Sequence, residues 1–133
     1  MLVGFEHVGM TSSNLDRTVA FYCDLLGLKL VLRKPQASGE LAFLDAGGGM
    51  LEIFAPATAV TGARDVPAEE AGMRHLTFAV SDVDEAIATL EAAGVSIAER
   101  PRDAHNREMV RRVAFIRDPD GLLVELVERS PGR

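Results

Sequence analysis

Short alternating runs of apolar and polar residues cover most of the chain, and twice they give way to helical spacing. The first run, Phe5-Glu6-His7-Val8-Gly9-Met10, leads into apolar residues at Leu15, Val19, Tyr22 and Leu26, a spacing that predicts a helix. Ser13 or Asn14 suits its N-cap and Gly27 its stop. Strand patterns come next in LKLVLRK (28–34), ELAFLDA (40–46) and MLEIFA (50–55), the last two joined through Gly47-Gly48-Gly49. The order then repeats. MRHLTFAV (73–80) is a strand; Val83, Ile87 and Leu90 predict a helix that starts at Ser81 or Asp82 and stops at Gly94; VSIAER, RRVAFIR and LLVELVE are strands. The tetrapeptide Asp118-Pro119-Asp120-Gly121 is a tight-turn signal, because Pro fixes φ and Gly permits positive φ. His7 and His75 take equivalent places, and in each half a helix start lies seven residues further on, at Asn14 and Asp82.

Each half therefore reads β-α-β-β-β. The expected organisation is a first module over 1–57, a Pro-, Ala- and Gly-rich linker over 58–72, and a second module over 73–129, together one structural domain. One helix covers only one face of each sheet, so two modules would place their helix-free faces together around a cleft. Strand alternation assigns residues to that face. Val8, Met10, Leu51, Ile53, Leu76, Phe78, Val124 and Leu126 go to the helices. Phe5, His7, Gly9, Met50, Glu52, Phe54, His75, Thr77, Ala79, Leu123, Glu125 and Val127 go to the cleft. Two histidines and two carboxylates thus share one face at matched positions. Glu52 in an apolar strand calls for a partner, since a buried lone carboxylate is costly. Imidazoles and carboxylates suit a divalent transition metal, and a dication removes the repulsion between the acids. Taken singly, each histidine also fits a core or surface role, and each glutamate a pairing with arginine.

Composition narrows the classes. The chain has 133 residues, 47% hydrophobic and 26% charged, as a globular domain has, and its net charge of −6 argues against a nucleic-acid partner. The basic residues of 99–112 are spread among acids and read as a solvated segment, PRDAHNREM as a loop, and His105 as surface. A lone cysteine, Cys23, excludes an intrachain disulfide and reads as a small core or subunit-interface residue. No apolar run approaches the ~18 residues of a membrane span, and the start lacks a basic leader, so a cytoplasmic protein is expected.

LDRTVAFYCDLLGLKL (15–30) and VAFIRDPDGLLVELVE (113–128), with His7, Glu52, His75 and Glu125, resemble the vicinal oxygen chelate superfamily. That group includes glyoxalase I, methylmalonyl-CoA epimerase, extradiol dioxygenases, and fosfomycin and bleomycin resistance proteins. The resemblance implies an α+β fold of two βαβββ repeats forming a curved mixed sheet around a central metal cavity. It implies His7, Glu52, His75 and Glu125 as ligands of a divalent metal (Ni, Zn, Co, Mn or Fe). Extradiol dioxygenases use three ligands, matching His7, His75 and Glu125, and the epimerases carry Gln at the place of Glu52. The full set is most similar to glyoxalase I. The activity this implies is that of a metal-dependent lyase or isomerase that acts on a small substrate with vicinal oxygens via an enediolate, with Glu125 or Glu52 as base, in a homodimer. A metal-free small-molecule binding protein and an Fe(II) dioxygenase are the alternatives. Where bacterial glyoxalase I has an Arg and an Asn for glutathione, this chain has Thr11 and Pro56. Arg33, Arg64, Arg112 and Arg117 are candidate replacements.

Overall fold

Two helix starts and two glycine stops organise the architecture. The computed structural model describes residues 1–133, which fall into two units, Met1–Gly62 and Ala63–Arg133. In the first, β1 (His7–Thr11) is followed by α1 (Leu15–Val19), which continues as a π-helical stretch over Ala20–Leu25; β2 (Lys29–Gln36), β3 (Gly39–Asp45) and β4 (Met50–Pro56) complete it. In the second come β5 (Leu76–Ala79), α2 (Val83–Ala92), β6 (Ile97–Asp103), β7 (Val110–Arg117) and β8 (Leu123–Arg129). Each unit holds one four-stranded mixed sheet, ordered β1-β4-β3-β2 and β5-β8-β7-β6, with its outer pair β1/β4 or β5/β8 parallel. The fold is α+β, built from two βαβββ-like units.

Both helices begin on side-chain caps. Asn14 accepts from the Arg17 N–H at 3.0 Å and Asp82 from the Glu85 N–H at 2.9 Å. Both end at a glycine of positive φ, +87° at Gly27 and +88° at Gly94, where a side chain would be strained. Between cap and glycine the first helix has one residue more than the second: Asn14 to Gly27 against Asp82 to Gly94. The extra residue is absorbed by widening the last turns, so the Leu26 N–H reaches the Phe21 carbonyl and the Leu28 N–H the Tyr22 carbonyl. This corrects the uniform α-helix expected here and rotates its inner face. Thr18 and Phe21 are buried with Leu15 and Tyr22, while Val19 and Leu26 are only half-buried.

The helix-facing assignments hold in β4 and β8, while Val8 and Met10 of β1 and Leu76 and Phe78 of β5 are half-buried. Leu51, Ile53, Ala42 and Leu44 form the buried face of the first sheet, and Val124, Leu126, Ala114 and Ile116 that of the second. Two expectations change. Phe5 precedes β1, is 67% exposed, and its ring lies against Gly49, where a Cβ would come within 2.3 Å. Val127, expected to line a cleft, is buried with Val113 and Ala104. Pro101, Arg102 and Asp103 extend β6 instead of belonging to the PRDAHNREM loop. The turn after them places Ala104 on the Val113/Val127 patch and is held by Ser130, whose N–H bonds the Met109 carbonyl at 3.1 Å. His105 is exposed. The segment read as a linker is not uniform. From Ala63 on it is tied to the second unit by the Ala63 N–H on the Asp120 carbonyl (3.0 Å) and by Arg117 on Asp65 (2.6 and 3.0 Å).

Candidate functional site

The four residues singled out from the sequence come together two by two, one histidine and one glutamate in each unit. In the first, register pairs Gly9 with Glu52, and His7 stands two residues earlier on β1. Its Nε2 lies 3.9 Å from Glu52 Oε1, too far for a hydrogen bond, so both atoms keep their lone pairs. The other ring nitrogen faces Glu6 at 3.4 Å. In the second unit, Thr77 occupies the place of Gly9 and pairs with Glu125. Here His75 Nδ1 lies 3.8 Å from Glu125 Oε1, and the Thr77 hydroxyl bridges them, 2.9 Å from each. A carboxylate only accepts, so the hydroxyl proton lies on the Glu125 bond and the ring donates from Nδ1. The tautomer this selects leaves His75 Nε2 as a free acceptor. Glu125 is likewise held at Oε1 and keeps Oε2 for another partner.

Each pair stands beside a phenylalanine on the central strand. Phe43 is in register with Glu52 and meets the His7 ring edge-on at 5.5 Å; Phe115 is in register with Glu125 and meets His75 edge-on at 5.4 Å. These contacts fix the imidazole planes. Sequence reasoning passed over Phe43, Phe115 and the bridging role of Thr77. The two phenylalanines were findable, because Ala42-Phe43 and Ala114-Phe115 recur in equivalent strands. The supposed burial of Glu52 is corrected: its side chain is 37% exposed and that of Glu125 18%. Desolvation of Glu52 therefore gives no argument for a bound cation.

A second group of acids, Asp82, Asp84 and Glu128, has oxygens within 4.8 Å of one another at the start of α2. All three are already engaged. Asp82 caps the helix, Glu128 accepts from the Val83 N–H at 2.8 Å and pairs with Arg111, and Asp84 takes Arg112 at 2.6 and 2.8 Å. The Arg112 hydrogen bond holds the Asp84 carboxyl below its usual range. This network anchors α2 to β7 and β8. In the first unit, burial pushes the Cys23 thiol up, with repulsion from the neighbouring Asp24 adding to it, away from nucleophilic use. No helix is long and apolar enough to cross a membrane.

The arginines considered as substrate anchors are mostly committed. Arg33 holds Glu40 and Asp16, Arg112 holds Asp84 and Asp103, and Arg117 holds Asp65. Arg64 lies 3.8 Å from Glu70.

The sheet topology has counterparts among known proteins. The family model described as Glyoxalase/Bleomycin resistance protein/Dioxygenase superfamily matches residues 4–126. The chain is 34% identical to the uncharacterised protein YaeR of Escherichia coli K12, over 93% of this chain and 95% of YaeR. It is 33% identical to a probable chloroplastic lactoylglutathione lyase of Arabidopsis thaliana, covering 94% of this chain but only 35% of the plant protein. The crystal structure of a glyoxalase family protein from Enterococcus faecalis superposes with a TM-score of 0.74 at 29% identity, covering 95% of this chain and 98% of the other. With a family match over nearly its whole length and the same fold, the chain belongs to the glyoxalase/bleomycin resistance protein/dioxygenase superfamily.

Proposed function

We propose that this protein is a metal-dependent lyase or isomerase of the glyoxalase type, acting on a small substrate with vicinal oxygens. The observation that carries the reading is the matched pair of His–Glu sets, each beside a phenylalanine, with separations of 3.9 and 3.8 Å. Relatives named lactoylglutathione lyase at about 30% identity support it. The donors fit a divalent ion: two imidazoles, each with a ring nitrogen unengaged by protein, and two carboxylates. His7, Glu52, His75 and Glu125 would be the ligands. The bound ion would polarise the substrate carbonyl and offset the charge of an enediolate. Glu125 or Glu52 takes the α-proton and returns it to the neighbouring carbon. Thr77 steers Glu125, since it anchors Oε1 and leaves Oε2 to meet the ion or, once Glu125 leaves the ion to act as base, the proton. Met50, Phe54 and Leu123, which stand on the same strand faces as the glutamates, supply apolar contact.

A homodimer belongs to this reading. The edge strand β2 exposes Leu30 (50%), Val31 (58%) and Leu32 (43%), the apolar edge that a second copy would cover.

The test is metal analysis joined to turnover. Purified protein reconstituted separately with Ni, Zn, Co, Mn and Fe is expected to bind the ion stoichiometrically. His7→Ala, His75→Ala, Glu52→Ala and Glu125→Ala variants are expected to lose it. Activity is assayed with methylglyoxal plus glutathione, alongside other thiols and acyl-CoA thioesters. Full metal occupancy in Glu52→Ala removes the glyoxalase-type ligand set, and protein that takes up no metal removes the enzyme reading.

A further inference from the structure

The second unit contains a pocket of about 370 Å³, a volume in the range that takes a small organic molecule. His75 and Phe115 stand in its wall, so the pocket reaches the His–Glu pair of this unit from one side. Val66, Ala68, Ala98 and Leu123 make the rest of that wall apolar.

Four charged residues complete the lining, and they are unequal in one respect. Arg117 is held by both oxygens of Asp65 and also donates to the Gly121 carbonyl at 3.2 Å. Glu99 is paired with Arg102. These charged groups satisfy each other. Arg74 has no such partner: its guanidinium makes no hydrogen bond or ion pair, although the chain has an excess of acids. An unpaired guanidinium next to an imidazole, at the rim of an apolar hollow, is a receptor for a planar or tetrahedral oxyanion, which it can grip through two parallel N–H bonds.

We propose that this pocket takes an anionic substituent, a carboxylate or a phosphate, carried by a small and partly apolar molecule, with Arg74 as its counter-charge. The anion is the tail of the substrate whose reacting oxygens lie toward His75, a part of the proposal that rests on the glyoxalase-type reading. Arg33, Arg112 and Arg117 are occupied by their own carboxylates, so specificity for an acidic substrate falls to Arg74.

The experiment uses metal-free protein, which keeps it independent of the metal reading. Phenylacetate, phenyl phosphate and neutral phenylacetamide are titrated while backbone amide resonances are followed by NMR. Expected are saturable shifts at His75, Ala98, Phe115 and Leu123 with the two anions, and binding of the amide at least tenfold weaker. Arg74→Gln should reduce anion affinity at least tenfold, to the level of the amide, and Arg74→Lys should restore most of it. The anion that binds more tightly, carboxylate or phosphate, names the substrate class. Equal affinity for acid and amide, shifts confined to other surfaces, or an unchanged affinity in Arg74→Gln overturns the proposal. Arg74 is exposed, so the variant should keep the native spectrum. Metal uptake by the wild type, measured separately, bears only on the glyoxalase-type reading.

Discussion

Replacing Thr77 by valine removes a hydroxyl and leaves the side-chain shape and strand preference in place. Two hydrogen bonds go with it, each 2.9 Å, one to the His75 ring and one to the Glu125 carboxylate. A neutral hydrogen bond contributes ~1 kcal/mol and one to a charged group somewhat more, and partial exposure trims both, so the loss is about 2 kcal/mol. If His75 and Glu125 are metal ligands, that energy now comes out of the binding step, because ring and carboxylate must be ordered as the ion arrives. The expected outcome is metal affinity weaker by roughly 30-fold, within the range typical for groups that orient ligands. Competition against a chelator of known affinity measures it. Thr77→Ser should restore most of the affinity, and the Tm of the metal-free Thr77→Val variant should fall by about 7 °C, as a loss of about 2 kcal/mol implies for a chain of this length. A second readout needs no metal: long-range ¹H–¹⁵N spectra should show His75 protonated at Nδ1 in the wild type and a mixture of tautomers in Thr77→Val. Wild-type metal affinity in Thr77→Val, or a serine variant as weak as the valine one, would refute the bridging role.

The packing has further measurable consequences. Glu128→Gln leaves the Val83 N–H and Arg111 with a neutral partner at a position only 8% exposed, and should cost about 2–3 kcal/mol in urea unfolding. Gly94→Ala places a side chain at φ +88° with no neighbouring atom in the way, so about 1 kcal/mol of backbone strain is the whole effect. Gly39→Ala should be worse: its Cβ would stand 2.2 Å from the Ala55 carbonyl oxygen, and backbone there must move. Asp65, Asp84 and Glu40 are held below their usual values by hydrogen bonds from Arg117, Arg112 and Arg33. Depressed carboxyl pKa values give stability that is complete above the unfolded values, 4.5 for Glu40 and 3.8 for the aspartates, and is lost as pH falls through the folded ones. Urea midpoints should therefore decline below about pH 4.5, and less steeply in Arg112→Gln, whose Asp84 titrates nearer its ordinary range.

Local chemistry made much of the molecule legible in advance. Asn14 and Asp82 cap helices because their side chains reach an N–H three residues on, and Gly27 and Gly94 end them because φ turns positive there. These are properties of a few adjacent residues. Strand alternation placed His7 and Glu52, and His75 and Glu125, on common faces for the same reason: the period of two belongs to the backbone. The π-helical turns are a halfway case. The spare residue between Asn14 and Gly27 can be counted in the sequence, but only packing decides whether it is bulged out, wound in or shed into the next loop. Here Phe21 and Tyr22 are both buried, and the widened turns allow it.

Tertiary structure decided whatever depends on residues distant in the chain meeting. The bridge from His75 through Thr77 to Glu125 requires the parallel register of β5 on β8, which no local pattern specifies. The half-exposure of Glu52 depends on what lies above its sheet face, and its apolar neighbours in the strand overstate its burial. The arginines show the difference most clearly. Alike as letters, Arg33, Arg112 and Arg117 are spent on carboxylates brought to them by folding, while Arg74 is left over in a pocket. The sequence by itself determined the repeat, the helix ends and the four matched donors, because each is written in spacing. Partner choice among charges and the tautomer of a ring came only from the fold, because a side chain's chemistry is set by its neighbours in space.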